Sequence, residues 1–363
     1  MIVTVTPNPA LDLTWHVERI VPGGTHRADA GAARAGGKGL NVARVAHAAG
    51  SDVVAVTTVG GATGAEFRAE LTAAGVPAVL VPVAAATRRS IALVDEALGD
   101  TTIVNERGIA PTDAERDALR SAVAEALAAP DPERAQTSPA PERAQPSPAP
   151  ERAQHSPAPE RAQSAPAPER AQSAPAPERA QRDEGRPVLV ISGSVPPGTP
   201  EDLLSSLIGI GRAAGAIVIA DTSGPALLRA ADAGADVLKP NAAELAEATG
   251  IADPIDGARE LLRRGASLIL LSRGAEGMLA VSDSETVSAR LPEALAGNPT
   301  GAGDAAVSAA AVLLASGIRD PEAILRRATA WSAAAVLMPL AGDIHPSWPE
   351  LEAAVIIERT DTA

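Results

Sequence analysis

Residues Gly297 to Gly317 read GNPTGAGDAAVSAAAVLLASG, and the reading of this stretch decides the rest. A turn-forming run, Gly297-Asn298-Pro299-Thr300-Gly301, leads into Gly301-Ala302-Gly303-Asp304, and a run of almost pure Ala, Val and Leu follows, stopped by Gly317. Pro and Gly punctuate the start, and a glycine is the usual end of a helix. The pattern predicts a tight loop feeding the N-terminus of a buried helix. Such a terminus has unpaired N–H groups and a partial positive charge, so it favours an anion such as phosphate. Gly301 and Gly303 let the backbone come close to that anion. A carboxylate beside a phosphate site repels the ligand, so Asp304 makes sense there as a base that takes a proton from an attacking hydroxyl. Two other readings fit the local residues. Asp304 is also a favoured capping residue. Gly301, Gly303 and Ala306 also match a G-x-G-x-x-A dinucleotide pattern, but Asn298-Pro299-Thr300 stands where its strand should end.

Composition narrows the field. The 363 residues suffice for one large α/β domain or for two domains. Hydrophobic residues make up 45% and aromatics 1%, with no Tyr and one Phe, so the core must be Ala, Val, Leu and Ile. That scarcity argues against base-stacking on nucleic acid, and the net charge of −14 argues against any polyanion held on a basic face. The chain has no Cys, which excludes disulfides, thiolate metal sites and a thiol nucleophile. The five histidines show no ligand spacing. Neither a signal segment nor a membrane span is legible, so the expectation is a soluble cytoplasmic protein without membrane or nucleic-acid partners.

Along the chain, Ile2–Thr6 reads as a buried strand ended by Pro7-Asn8-Pro9, with Asp12 beyond it. Gly36-Gly37-Lys38-Gly39-Leu40-Asn41 opens a helical pattern and suits an anion- or hydroxyl-binding loop, though not a Walker A loop. Strand, helix and strand signals then alternate at 53–59, 66–74 and 79–83, the pattern of a parallel sheet covered by helices. Residues 87–94 and 101–105 read as two strands around a Leu98-Gly99-Asp100 turn, with no helix between them. They should form a hairpin apart from the parallel sheet. After a helix at 113–129, the unit PERAQxxPA repeats every nine residues. Its prolines forbid regular structure and its apolar content is almost only Ala and Pro, so 131–186 reads as a disordered insertion in a surface loop. Strand signals resume at 188–191, 217–221 and 268–271, and the C-terminal Ala-rich segments read as helices. Asn241 and Glu244, three apart at a helix start, suit either a capping pair or a metal-organising pair.

The Gly-Ala-Gly-Asp stretch resembles the D-T-x-G-A-G-D motif of the ribokinase-like carbohydrate kinases, the PfkB family, with Asn298 and Pro299 in place of the usual Asp (or Ser) and Thr. The segments Thr6–Asp12, Ala35–Ala43, Ser192–Gly198 (SGSVPPG) and Lys239-Pro240-Asn241-Ala242-Ala243-Glu244 resemble further family motifs. They match the sugar-phosphate branch that includes 1-phosphofructokinase and tagatose-6-phosphate kinase. The resemblance implies a ribokinase-like three-layer α/β sandwich with a mostly parallel central sheet and a small β-sheet lid. The lid strands would fall within about 10–36 and 87–105 of one kinase domain, and the lid is often a dimer contact. It implies Asp304 as catalytic base, with the backbone N–H groups of Gly301, Ala302 and Gly303 on the transferring phosphoryl. It implies Asp12, Gly37, Lys38, Asn41 and Arg88 on a sugar phosphate. ATP would lie against the loop Ser272-Arg273-Gly274-Ala275-Glu276-Gly277 and Gly303, and Mg2+ would be organised through water by Glu244 and Asn241. The reaction implied is ATP-dependent phosphorylation of a ketohexose phosphate, fructose 1-phosphate first, then fructose 6-phosphate and tagatose 6-phosphate.

Overall fold

A ten-stranded sheet organises the computed structural model, which describes residues 1–128 and 185–361. The expected repeat insertion, 131–186, lies outside the described residues except for its last two. β1 (Ile2–Thr6) is buried throughout and lies inside the sheet, parallel to β4 (Val53–Val59) on one side and β8 (Val188–Ser192) on the other. β5 (Ala78–Pro82) closes that end. Beyond β8 come β9 (Ile217–Asp221), β10 (Val237–Leu238) and β11 (Leu268–Ser272), all parallel. β12 (Met278–Val281), β13 (Glu285–Arg290) and β14 (Ile356–Asp361) add an antiparallel end.

The inner parallel strands β8, β9 and β11 are nearly continuous apolar runs because both faces are covered, as parallel sheets require. Alternate residues serve opposite layers. Val188, Val190, Ile217 and Ile219 join a core with α1 (Lys38–Ala48), α2 (Gly61–Ala73), α8 (Ala302–Ala315) and α9 (Pro321–Val336). Leu189, Ile191, Val218 and Ala220 join a second core with α3 (Asp113–Ala128), α4 (Asp202–Ala213), α5 (Pro225–Asp232), α6 (Ala242–Thr249) and α7 (Pro254–Arg264). The result is a three-layer, ribokinase-like α/β sandwich. As the composition demanded, small aliphatic side chains fill it. The aromatic exceptions are Phe67 on α2 and Trp331 on α9, the latter buried edge-to-face against Trp348 at the start of α10 (Trp348–Ala354), with the Arg327 guanidinium over the second ring.

A separate four-stranded sheet takes the order β3 (Ala32–Gly36), β2 (Ala10–Val17), β6 (Arg88–Asp95), β7 (Asp100–Asn105). The expected hairpin is β6 with β7, antiparallel with Asp95 opposite Asp100. β2 is one of the two inner strands and sets Asp12 level with Arg34 on β3 and Ser90 on β6.

Two expectations need correction. The helix expected from Glu66 begins at Gly61, because Gly61 takes φ 66° and the first turn closes through Gly64 N–H on the Gly60 carbonyl, with no side-chain cap to mark it. The C-terminus is not all helical. Residues 356–361, IIERTD, pair with β13 as an edge strand, a half-exposed role that carries no long apolar run.

Candidate active site

The ends of β10 and β11 and the N-termini of α1, α6 and α8 converge on one cavity of about 780 Å³, whose lining includes Asp12, Arg88, Lys38, Asn41, Lys239 and Asp304. Asp304 stands in the first turn of α8. Gly301 is the N-cap, left-handed at φ 86°, and supplies no side-chain cap. A Cβ there would lie 2.7 Å from the Ala341 Cβ, so the turn also needs the missing side chain for space. The N–H groups of Gly301, Gly303 and Asp304 donate to no described residue and stand free for an anion. Ala302 departs from expectation. The tight turn points its N–H back to the Pro299 carbonyl at 3.2 Å, which removes it from the set of free donors.

Asp304 is 5% exposed and accepts a 2.8 Å hydrogen bond from Asn41 Nδ2 on α1. Burial, then the nearby Asp221 carboxylate, raise its pKa to about 7, against the pull of Asn41, Lys38 and Lys239. Such a value suits a group that must hold and release a proton near neutrality.

The sequence reading missed the group beneath it. Asp221 ends β9, fully buried, and its carboxylate lies 3.3 Å from Lys38 Nζ and 3.4 Å from Lys239 Nζ while accepting a 2.9 Å hydrogen bond from Ser192 Oγ. Burial alone would raise the Asp221 carboxyl, but the two ammonium groups and the hydroxyl outweigh it and hold it below the usual range. In return Asp221 raises the Lys38 pKa against the cost of that lysine's burial. One signal existed: an aspartate that closes an otherwise apolar buried strand. Lys239 sat in the quoted Lys-Pro-Asn motif beside the two residues singled out there.

On β2 of the small sheet, Asp12 is raised to about 6 by burial, opposed by Arg88, Arg34 and Arg44. A Cβ on Gly36 would lie 1.9 Å from Asp12 Oδ2, so the glycine before Gly37 makes room for this carboxylate. Arg88 is held in place by Asn8, whose backbone and side-chain oxygens accept from Nε at 3.3 and 3.1 Å, and by the Glu106 carbonyl at 3.1 Å from Nη1. Asn8 was not among the expected residues. It also donates to Ser194 Oγ at 3.1 Å, tying the lid to the loop after β8.

Asn241 and Glu244 form a complete capping box on α6: Glu244 N–H donates to Asn241 Oδ1 at 2.8 Å and Asn241 N–H to Glu244 Oε2 at 2.9 Å. Both also line the cavity. Ser272, Gly274, Ala275 and Gly277 line it too, whereas Arg273 and Glu276 pair with each other at 3.5 Å and stand outside the lining. Among the described residues no cluster of three or more His, Cys, Asp or Glu offers a metal site.

A cavity that joins free helix-start N–H groups, a carboxylate of pKa about 7 and several cations is suited to phosphoryl transfer. The pfkB family carbohydrate kinase model matches residues 7–135 and 170–348. The chain belongs to the pfkB family of carbohydrate kinases. It is similar to the 1-phosphofructokinase of Xanthomonas campestris pv. campestris, 32% identical over 342 residues that cover 91% of this chain and 89% of the relative. It is 30% identical to the ATP-dependent 6-phosphofructokinase isozyme 2 of Mycobacterium tuberculosis over 87% of this chain and 78% of that one. Among solved structures, Escherichia coli phosphofructokinase-2 in complex with fructose-6-phosphate superposes with a TM-score of 0.75 at 26% identity, covering 97% of this chain and 98% of that one. In this pfkB-family kinase the small sheet carries Asp12 on β2 and Arg88 on β6 to the cavity. No described helix is long and apolar enough to cross a membrane.

Proposed function

We propose that this kinase transfers the γ-phosphoryl group of ATP to the free primary hydroxyl of a phosphorylated ketohexose, fructose 1-phosphate first, giving fructose 1,6-bisphosphate. The observation that carries the reading is Asp304, a buried carboxylate with a pKa of about 7 beside uncapped helix N–H groups. Asp304 takes the hydroxyl proton as the new O–P bond forms, and the bond from the γ-phosphorus to the β–γ bridging oxygen breaks, releasing ADP. The N–H groups of Gly301 and Gly303 meet the charge on the moving phosphoryl, and Lys239 and Lys38, held by Asp221, add positive charge beside it. Asp12 accepts from sugar hydroxyls, while Gly37, Asn41 and Arg88 complete the acceptor site.

The residues fit Mg2+ carried in on the nucleotide. Glu244 has one carboxylate oxygen outside the capping box and Asn241 its amide group, which suits a water-mediated contact to an ion held mainly by phosphates. When bound, that ion would neutralise phosphate charge. The lid also supplies a dimer surface in this reading. β7 is one of its two edges, with Ile103 and Val104 about half exposed, and sedimentation should give twice the chain mass.

Side-by-side kinetics on fructose 1-phosphate, fructose 6-phosphate and tagatose 6-phosphate test the acceptor, with the highest kcat/KM expected for the first. Turnover confined to either 6-phosphate would reassign it. Arg88→Ala should raise KM for the sugar phosphate about 10- to 100-fold, the worth of one charge-assisted contact, and leave KM for ATP near the parent value. Equal rises in both would place Arg88 in the wrong subsite.

A further inference from the structure

Arg34 stands on β3, an edge strand of the small sheet, level with Asp12 on β2. Its guanidinium grips one carboxylate with two prongs. Nη1 donates to Asp343 Oδ2 at 2.8 Å and Nη2 donates to Asp343 Oδ1 at 3.1 Å, across 309 positions of sequence. A planar fork on a carboxylate fixes orientation as well as distance.

Asp343 belongs to the loop between α9 and α10, and that loop touches the reaction centre at two points. A Cβ on Gly301 would lie 2.7 Å from the Ala341 Cβ and 3.4 Å from the Gly342 nitrogen, so Ala341 and Gly342 pack on the turn that starts α8. A Cβ on Gly342 would lie 3.1 Å from Asn41 Oδ1, and Asn41 is the residue that donates to Asp304. The start of the loop is fixed as well. Asn298 N–H donates to the Val336 carbonyl at 2.9 Å and Asn298 Nδ2 to the Pro339 carbonyl at 3.1 Å. Asn298, which replaces the usual motif residue, thus ties the loop to the turn that feeds α8.

On its other side the loop faces the small sheet. A second cavity, of about 310 Å³, is lined by Thr14, Ala92 and Ile103 of the sheet and by Pro339 and Ala341 of the loop. Arg34 is in that lining and reaches Asp343. The two side chains are 16% and 41% exposed, and so open a pair adds little to stability. What it does is join the strand beside Asp12 to the loop beneath Gly301 and Asn41.

We propose that Arg34 and Asp343 are a positioning pair for phosphoryl transfer. Their fork holds the small sheet, with Asp12 and Arg88, in register with the loop that supports Gly301 and Asn41, so that acceptor hydroxyl, anion-binding turn and Asp304 meet at reacting distance. This rests on the kinase reading for the roles of Gly301 and Asp304.

A double-mutant cycle on the full chain tests it, with whichever of the three sugar phosphates turns over fastest. Arg34→Ala and Asp343→Ala should each lower kcat about 10- to 100-fold, since a displacement of about 1 Å at a reacting centre costs up to about 10². KM for ATP should stay within about 2-fold of the parent, because the fork lies on the acceptor side. The double variant should fall no further than the worse single one, whereas independent effects would multiply. Arg34→Lys retains a charge beside Asp12 but loses the fork, so it should behave like Arg34→Ala. Melting temperatures should stay within about 4 °C of the parent, the size of an exposed pair. Parental kcat in Asp343→Ala or Arg34→Lys, multiplied losses in the double variant, or a larger fall in Tm overturns the proposal. So does a rise in sugar-phosphate KM confined to the Arg34 variants, which would place Arg34 on the acceptor itself. If Asp304→Asn keeps the parental kcat while the cycle holds, the base assignment falls and the positioning pair stands.

Discussion

Asp304→Asn is expected to lower kcat by about 10²- to 10⁴-fold, the range that a positioned general base supplies, with sugar-phosphate binding largely retained. The amide keeps the volume of the carboxylate and an oxygen for Asn41 Nδ2, so the loss should be chemical and not structural. The pH profile separates the two. In the parent, kcat/KM should fall as pH drops through about 7, where Asp304 gains its proton, and more steeply below about 6, where Asp12 does. The upper limb of that fall should vanish in the variant. Stability gives a second, independent sign. The Asp304 value of about 7 lies above the ordinary 3.8, so the folded chain binds this proton more tightly than the unfolded chain. Between those pH values stability from this group therefore declines as pH rises. Removing the charge should raise Tm at pH 8. A variant that keeps a tenth of the parent kcat would remove Asp304 from the role, and one that melts well below the parent at pH 8 would point to structural damage.

Gly301→Ala should cost about 10²- to 10³-fold in kcat, the size seen when donors are lost from an anion hole. The left-handed φ of 86° strains any side chain, and the new Cβ would lie 2.7 Å from the Ala341 Cβ and 2.9 Å from its Cα. Backbone cannot yield as a side-chain tip does, so the turn must move, carrying the N–H groups of Gly303 and Asp304 with it. Gly303→Ala is the contrast. Its Cβ would meet Lys239 Nζ at 3.1 Å, the far end of a flexible side chain, so the fold should tolerate it while the lysine is pushed aside. Melting curves and kcat for both variants check this. A folded Gly301→Ala enzyme with parental kcat would show that the start of α8 does not stabilise the transferring group.

Much of this site was legible in the chain because its parts are local. The Gly-Ala-Gly-Asp turn, the Gly37-Lys38 start of α1 and the β6–β7 hairpin each follow from a few adjacent residues whose backbone needs are specific. Gly301 takes the left-handed conformation that the turn requires, and Asp95 meets Asp100 because the Leu98-Gly99-Asp100 turn leaves no room for a crossover. Strand order was not legible in the same way. β1 was expected only as a buried strand; that it lies between β4 and β8 depends on pairings of Ile2 with Val53 and with Val188, far apart along the chain. Arg273 and Glu276 belonged to the expected nucleotide loop, yet the short turn through Gly274–Glu276 pairs them with each other.

What the sequence by itself determined is the set of turns, the alternation of strand and helix, and the place of Asp304 in the first turn of a buried helix, since each is written in spacing and residue type over a few positions. Only the tertiary structure decided the electrostatics. Asn41 reaches Asp304 across 263 positions, and Asp221 joins Lys38 and Lys239 from three separate elements. A pKa of about 7 for Asp304 is a property of its burial beside Asp221, not of aspartate. Burial and charge proximity act through space, and distance along the chain does not encode them.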